Sequence, residues 1–208
     1  IHFWPQYAEE FYHITDTKSD KLIYDKKINI TFAGNIGTAQ GLEILPMVGN
    51  KIKEKQLNVR FNIVGDGRYK QELMDEVKRA SLQEWFHFID PVPATEIPEI
   101  LAGSDFSFVS LQNNDIFSMT IPAKLQSSMA CGKPILLSAN GEVADIVKEA
   151  KCGFVGEGGN LNDIINNLII ISNLSSDEIR RLGENSRKYF EKEYEKEKLL
   201  SLMDSYLM

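Results

Sequence analysis

Ile121-Pro122-Ala123-Lys124-Leu125-Gln126-Ser127-Ser128-Met129-Ala130-Cys131-Gly132-Lys133-Pro134-Ile135 reads as a helix start, one short helix, a glycine stop and a buried strand. Pro122 suits the first turn of a helix, where a missing N–H costs little. Gly132 suits the residue just past the helix end, and Pro134 cannot continue that helix. Ile135-Leu136-Leu137 follows as a fully buried strand. The helix opens beside Lys124, so free N–H groups, a positive dipole end and an ammonium stand together. That combination suits an anion, most often a phosphate. The plainer reading is a surface lysine on a helix that follows proline.

The same alternation extends to both sides. Strands are expected at 29–33, 59–64, 85–89, 105–109 and 152–155, with helices at 39–55, 69–80, 95–102 and 142–150 between them. From Leu161 onward the pattern is helical, and 191–202 is charged and amphipathic. Strands alternating with helices of about ten residues predict an α/β fold, a Rossmann-like open parallel sheet with helices on both faces. Right-handed crossovers then put every strand's carboxyl end on one edge, where ligands bind in such folds.

The bulk numbers narrow the function classes. The 208 residues are 43% apolar, enough for one sizeable core. Thirty acidic against 23 basic side chains give a net charge of −7, which argues against a nucleic-acid or anionic-membrane binder. Cys131 and Cys152 lack metal or redox spacing and sit in apolar company, so two buried free thiols are expected. No secretory signal or membrane-spanning run appears, which predicts a cytoplasmic protein. The chain starts on Ile1-His2-Phe3-Trp4 rather than Met, as a piece cut from a longer protein would. Residues 1–27 read as a connector, 28–190 as the α/β domain and 191–208 as a packing helix.

Several turns are candidates for chemistry. Gly34-Asn35-Ile36-Gly37 follows the first strand and reads as a diphosphate cradle or as an ordinary tight turn. Its spacing is not that of a dinucleotide fingerprint. Gly65-Asp66-Gly67 follows the second strand; Asp66 suits a ribose hydroxyl or a helix cap equally well. Glu142, after Gly141, suits the first turn of the next helix and equally a sugar hydroxyl. His2, His13 and His87 do not cluster, and His87 reads as a sheet residue. Asn113-Asn114-Asp115 reads as loop chemistry rather than a metal site.

Taken together, the turns resemble the C-terminal, donor-binding domain of GT-B glycosyltransferases of family 4. The resemblance rests on Phe32-Ala33-Gly34 with Gly37, Ile63-Val64-Gly65-Asp66-Gly67, Ile97-Pro98-Glu99 through Asp105, Met129 through Ile135, Gly141-Glu142 and Cys152-Gly153-Phe154. The Pro-x-Lys opening is similar to the subgroup that builds bacterial surface polysaccharide such as O-antigen or capsule. The resemblance implies a two-domain enzyme whose missing N-terminal half holds a lipid-linked saccharide acceptor, with possible peripheral membrane association only through that half. It implies retaining transfer, no metal or other cofactor, and a nucleotide-sugar donor. UDP-hexose or UDP-N-acetylhexosamine follows from the subgroup's habit, with uracil near Phe88, Ile89 and Asp90. The last helix is expected to cross back to the missing half. Without that half, Phe3, Trp4, Tyr7, Phe11, Tyr194, Leu199, Leu202 and Tyr206 are expected to expose apolar surface.

Departures sharpen the expectation. The family's paired glutamates fall on Met119 and Ser127, and neither is acidic. Asn35 and Gln40 stand near places where the family often has Arg and Lys, so Lys124 is left to supply the positive charge, with Ala123 beside it. Loss of the glutamates also supports a non-catalytic scaffold with a degenerate site. It disfavours a nucleotide-sugar epimerase, which needs acid/base residues at the sugar. The fragment alone is expected to be inactive, because the acceptor half is absent.

Overall fold

The computed structural model describes residues 5–207. Six parallel strands form one sheet: β1 Ile28–Ala33, β2 Val59–Val64, β3 Phe86–Ile89, β4 Phe106–Ser110, β5 Ile135–Ser138 and β6 Gly153–Gly156. Their spatial order is β3-β2-β1-β4-β5-β6, so the order reverses between β1 and β4. The helices are α1 Leu45–Lys55, α2 Lys70–Arg79, α3 Ile97–Ala102, α4 Asp115–Ser118, α5 Ala123–Ala130, α6 Glu142–Ala150, α7 Leu161–Ile171, α8 Ser176–Glu193 and α9 Lys196–Leu207.

Successive strand residues point to opposite faces of the sheet. Ile30, Phe32, Phe61, Ile63, Phe106, Phe108 and Leu136 meet α1, α2 and α7 on one face. Phe61 stacks on Phe86 at 5.7 Å and takes Phe108 edge-on at 5.4 Å. On the other face Val109, Ile135 and Leu137 pack against α5, α6 and Phe190 of α8. Burying each of these large side chains contributes roughly 1.5–3 kcal/mol, so neither face can be stripped of its helices.

The remaining quarter of that second face is polar and is closed by the connector. Residues 5–27 carry no helix or strand. Leu22 packs with Val64, Ile89 and Ile100. Buried Arg60 of β2 donates to Ile23 O at 3.2 Å and pairs with Asp25 at 2.5 Å. The Arg60 guanidinium holds the Asp25 carboxyl below the usual carboxylate range. Asn62 donates to Asn29 Oδ1 at 3.1 Å and Thr31 Oγ1 at 3.2 Å. Arg60→Leu should loosen this strap: we expect faster protease cleavage within 13–27 and a loss of about 1–3 kcal/mol, since Asp25 keeps partial access to water. An unchanged cleavage pattern would show that Leu22 alone holds the strap.

Local differences from the sequence reading have local causes. The helix expected over 39–55 starts as two single 3-10 turns, and the α-helix opens only at Leu45. Gly41 between the turns is left-handed (φ +62°), and Gln112 N would lie 3.4 Å from a Cβ there. Within the loop read at 113–115, Asn114 caps the one-turn helix α4 by accepting from Phe117 N at 2.9 Å. The helical region after 161 splits where Ser175 forms a capping box with Glu178. A further break at Tyr194 separates α9 from α8. Tyr194 and Leu199, expected to be exposed, are 3% and 5% exposed. Tyr194 packs against the second apolar face, while Leu202 remains exposed. Tyr7 and Phe11 are half-buried. Phe3, Trp4 and the side chain of Tyr206 lie outside the described residues. Among the described residues no helix is long and apolar enough to cross a membrane.

Candidate functional site

The strand order reverses between β1 and β4, where a crevice forms in open parallel sheets, and the carboxyl ends of β1 and its neighbour β2 open beside it. The two glycine turns meet there. Gly34 N donates to Val64 O at 3.0 Å, and Ile36 N donates to Asp66 O at 2.7 Å. Ile36 is fully buried, pegging the first turn into the core. A Cβ on Gly65 (φ +131°) would sit 2.0 Å from Gly34 O, and one on Gly67 (φ +154°) 2.3 Å from Ile36 O. These glycines are therefore required first by turn-on-turn packing.

A cavity of about 440 Å³ opens on this edge and runs between α3 and α5. Gly34, Asn35, Gly65, Asp66, Ala123, Lys124 and Ser127 all line it, so seven of the residues singled out by sequence converge. Asp66 accepts from the amide of Gly67 at 2.8 Å and does not cap the next helix, whose N-cap is Tyr69. Pro122 proves to be the N-cap of α5 rather than part of its first turn. Gly132 (φ +65°) and Lys133 donate to Met129 O and Ser128 O, closing the helix as a Schellman motif.

Lys124 differs from the surface lysine of the plainer reading. Its ammonium nitrogen lies 4.1 Å from the Phe32 ring centroid and donates to Gln40 Oε1. A Cβ placed on Gly34 would be 3.7 Å from Nζ. Burial pushes the amine down to about 7. Among the described residues lining the cavity, Lys124 is the only basic one. Leu125 N turns back to Pro122 O at 2.8 Å, while the amides of Ala123 and Lys124 open the helix at the positive end of its dipole, so the nitrogen stands in an anion-attracting position.

Other residues from the sequence reading do not reach this cavity. Gly37 caps a 3-10 turn, and the lining past β3 is Pro91, Val92 and Ala94 rather than Ile89 and Asp90. Ile89 is buried beneath, and Asp90 takes a hydrogen bond from Lys70 at 2.9 Å out in solvent. Met119 and Glu142 line a separate depression of about 550 Å³ with Pro5, Gln6, Ser118, Ile121 and Gln126. Gly141 (φ +79°) lies against Ser118, whose carbonyl oxygen would be 2.0 Å from a Cβ. Glu142 sits in the first turn of α6 as expected. His87 lies in β3, and no group of His, Cys, Asp or Glu suited to a metal occurs among the described residues.

The sequence reading missed Tyr12, Val92, Ile97, Leu101, Ser107 and Ser128 in the lining. Ser107 and Ser128 share a buried hydroxyl–hydroxyl hydrogen bond of 2.7 Å, and Ser127 donates to Ala123 O at 3.0 Å. Ser107 carried a signal: it is a small polar residue between Phe106 and Phe108 in a buried strand. Tyr12 carried none, because its segment has no period.

Cys131 and Cys152 are buried free thiols, both pushed up to about 12 by burial. We expect neither to react measurably with iodoacetamide at pH 8 in the folded protein, and both to react once it is denatured. Rapid labelling of the native protein would contradict their burial.

This sheet order, with helices on both faces and a crevice at the reversal, defines a doubly wound, Rossmann-like α/β domain. The glycosyl transferases group 1 family matches residues 13–189, and the chain belongs to that family. It is 30% identical over 128 residues to the probable glycosyltransferase WbjE of Pseudomonas aeruginosa, covering 59% of this chain and 30% of that protein. It is 21% identical over 168 residues to the putative colanic acid biosynthesis glycosyltransferase WcaL of Escherichia coli K12, covering 80% and 41%. The chain thus spans less than half the length of these relatives. The Anabaena HepE structure in complex with UDP and glucose superposes with a TM-score of 0.71 at 16% identity, covering 88% of this chain and 48% of that one.

Proposed function

We propose that this chain is the nucleotide-sugar donor-binding domain of a retaining glycosyltransferase, of family 4, that acts in bacterial surface-polysaccharide synthesis. The observation that carries the reading is Lys124, at the opening of α5, whose ammonium lies beside the Gly34 turn in the wall of the cavity. A UDP-hexose or UDP-N-acetylhexosamine would place its diphosphate there. HepE, a structural neighbour, was solved in complex with UDP and glucose, and WcaL is named for colanic acid biosynthesis; both support the proposal. As the sugar leaves, negative charge grows on the diphosphate, and the ammonium and helix amides stabilise it without rearranging. Residues 28–190 form the donor domain in this proposal, 1–27 the connector and 191–208 a helix that crosses to an acceptor domain. A lipid-linked saccharide is the proposed acceptor, handled at the cytoplasmic side of the membrane, and no metal is needed.

Calorimetric titration with UDP tests the reading. Binding with a Kd between micromolar and millimolar is expected, weakened by Lys124→Gln. No binding at millimolar UDP would favour the scaffold reading, which the absence of a carboxylate at Met119 and Ser127 supports.

A further inference from the structure

We propose that the buried hydroxyl pair of Ser107 and Ser128 reads the base of the bound nucleotide, and that it takes a pyrimidine of either hydrogen-bonding pattern, uracil or cytosine. The proposal rests on the donor-site reading above, and its test separates the two.

The serines lining the cavity differ in what hydrogen bonding they have left. Ser127 uses its hydroxyl hydrogen on Ala123 O at 3.0 Å. Ser107 of β4 and Ser128 of α5 are 4% and 3% exposed and hold each other at 2.7 Å. Two hydroxyls carry two hydrogens and four lone pairs. Their mutual bond uses one of each, and among the described residues neither side chain has another partner. A spare hydrogen and spare lone pairs therefore remain at the cavity wall. The same cavity is otherwise walled there by Val64, Val92, Ile97 and Leu101, which suits a flat apolar ligand with one polar edge. Ser128 lies one helical turn beyond Lys124 on α5, about 6 Å along the axis, so the two can serve the base and the diphosphate of one nucleotide. The bond between the serines can run either way. If Ser107 donates, Ser128 offers the spare hydrogen and Ser107 a lone pair; if Ser128 donates, the roles exchange. Uracil presents a carbonyl oxygen next to an N–H, and cytosine presents an amino group next to a ring nitrogen, the reverse order. Rotation of the two hydroxyls matches either edge with no movement of heavy atoms. A purine carries its matching edge one ring farther from the sugar, so with the diphosphate at Lys124 that edge overshoots the pair.

Calorimetric titration of this chain with UDP, CDP and ADP tests the proposal. UDP and CDP should bind within about threefold of each other, and ADP about tenfold or more weakly, because it leaves the buried pair unmet. Ser107→Ala and Ser128→Ala should each weaken UDP and CDP by about three- to tenfold, the loss of one neutral hydrogen bond. Pyrophosphate, which has no base, should bind both variants as it binds the native chain. A preference for UDP over CDP of about tenfold or more overturns the reversible pair. ADP as tight as UDP overturns the choice of a pyrimidine. UDP affinity unchanged in both variants overturns the role of the hydroxyls and leaves the donor-site reading intact. Pyrophosphate weakened as much as UDP does the same, since the effect would then lie in the packing of α5 on β4. Failure of all three nucleotides to bind the native chain at millimolar concentration overturns the donor-site reading and this proposal together.

Discussion

Lys124→Met should bind UDP roughly 10- to 100-fold more weakly than the native chain, the equivalent of one lost charge-assisted hydrogen bond of about 1.5–3 kcal/mol. The same variant should be more stable. The native amine titrates near 7 in the fold against 10.5 for the unperturbed group. Between those values the unfolded chain binds more protons than the folded one, so native stability rises with pH across that window. Below pH 7 the full cost of the buried amine is present; it vanishes as pH approaches 10.5. Its ceiling is about 5 kcal/mol, from 1.36 kcal/mol per unit. Loss of the contact with Phe32 returns about 0.5–2 kcal/mol of that, so a net gain of about 1–3 kcal/mol is expected at pH 7 and little at pH 10. Denaturant unfolding of both proteins at the two pH values checks it. A Met variant that is less stable than native at pH 7 would contradict a net cost of holding this amine without a countercharge.

Gly65→Ala should be the most damaging small substitution in the site. Its φ of +131° is strained for any side chain, and the Cβ would overlap Gly34 O at 2.0 Å, the oxygen of a residue whose own N–H is tied to Val64 O. The two turns must part, which opens the floor of the cavity and unseats Ile36 from the core. A cost above about 4 kcal/mol is expected for such a clash, a fall in Tm of roughly 8–16 °C for a domain of this size. Gly159→Ala is the control: φ is +75°, but nothing lies within 4 Å of the added Cβ. Its cost should stay near ~1 kcal/mol, the left-handed penalty alone. Equal effects from the two would show that positive φ, not turn-on-turn contact, sets the requirement at Gly65. Thermal unfolding of the three proteins decides it.

The architecture was legible because its elements are long and their periods clean. Phe61 and Phe108 alternate with their neighbours as strand residues do, and Gly132 and Pro134 end α5 by chemistry that acts over two or three residues. The convergence of Gly34, Gly65 and Lys124 on one cavity was legible for the same reason: each marks a turn that follows a strand or opens a helix. What failed to show depends on distant chain. Nothing near Lys124 in sequence says that Phe32 and Gln40 will enclose it. Tyr12 reaches the cavity from the aperiodic connector, packed against the second apolar face. Met119 and Glu142 sit in turns of the expected kind, yet both face the separate depression on the far side of α5. Buried Arg60 and Asn62 find their partners outside their own strand, Arg60 in the connector at Ile23 and Asp25 and Asn62 in β1 at Asn29 and Thr31.

The most direct measurement is a crystal structure of this chain with UDP. The diphosphate should lie at the opening of α5, between the backbone of Gly34 and Lys124 Nζ, with the nucleoside running toward Val92 and Ile97. A nucleotide bound with its phosphates more than hydrogen-bonding distance from Lys124, or held in the Met119–Glu142 depression, would contradict the assignment of this cavity.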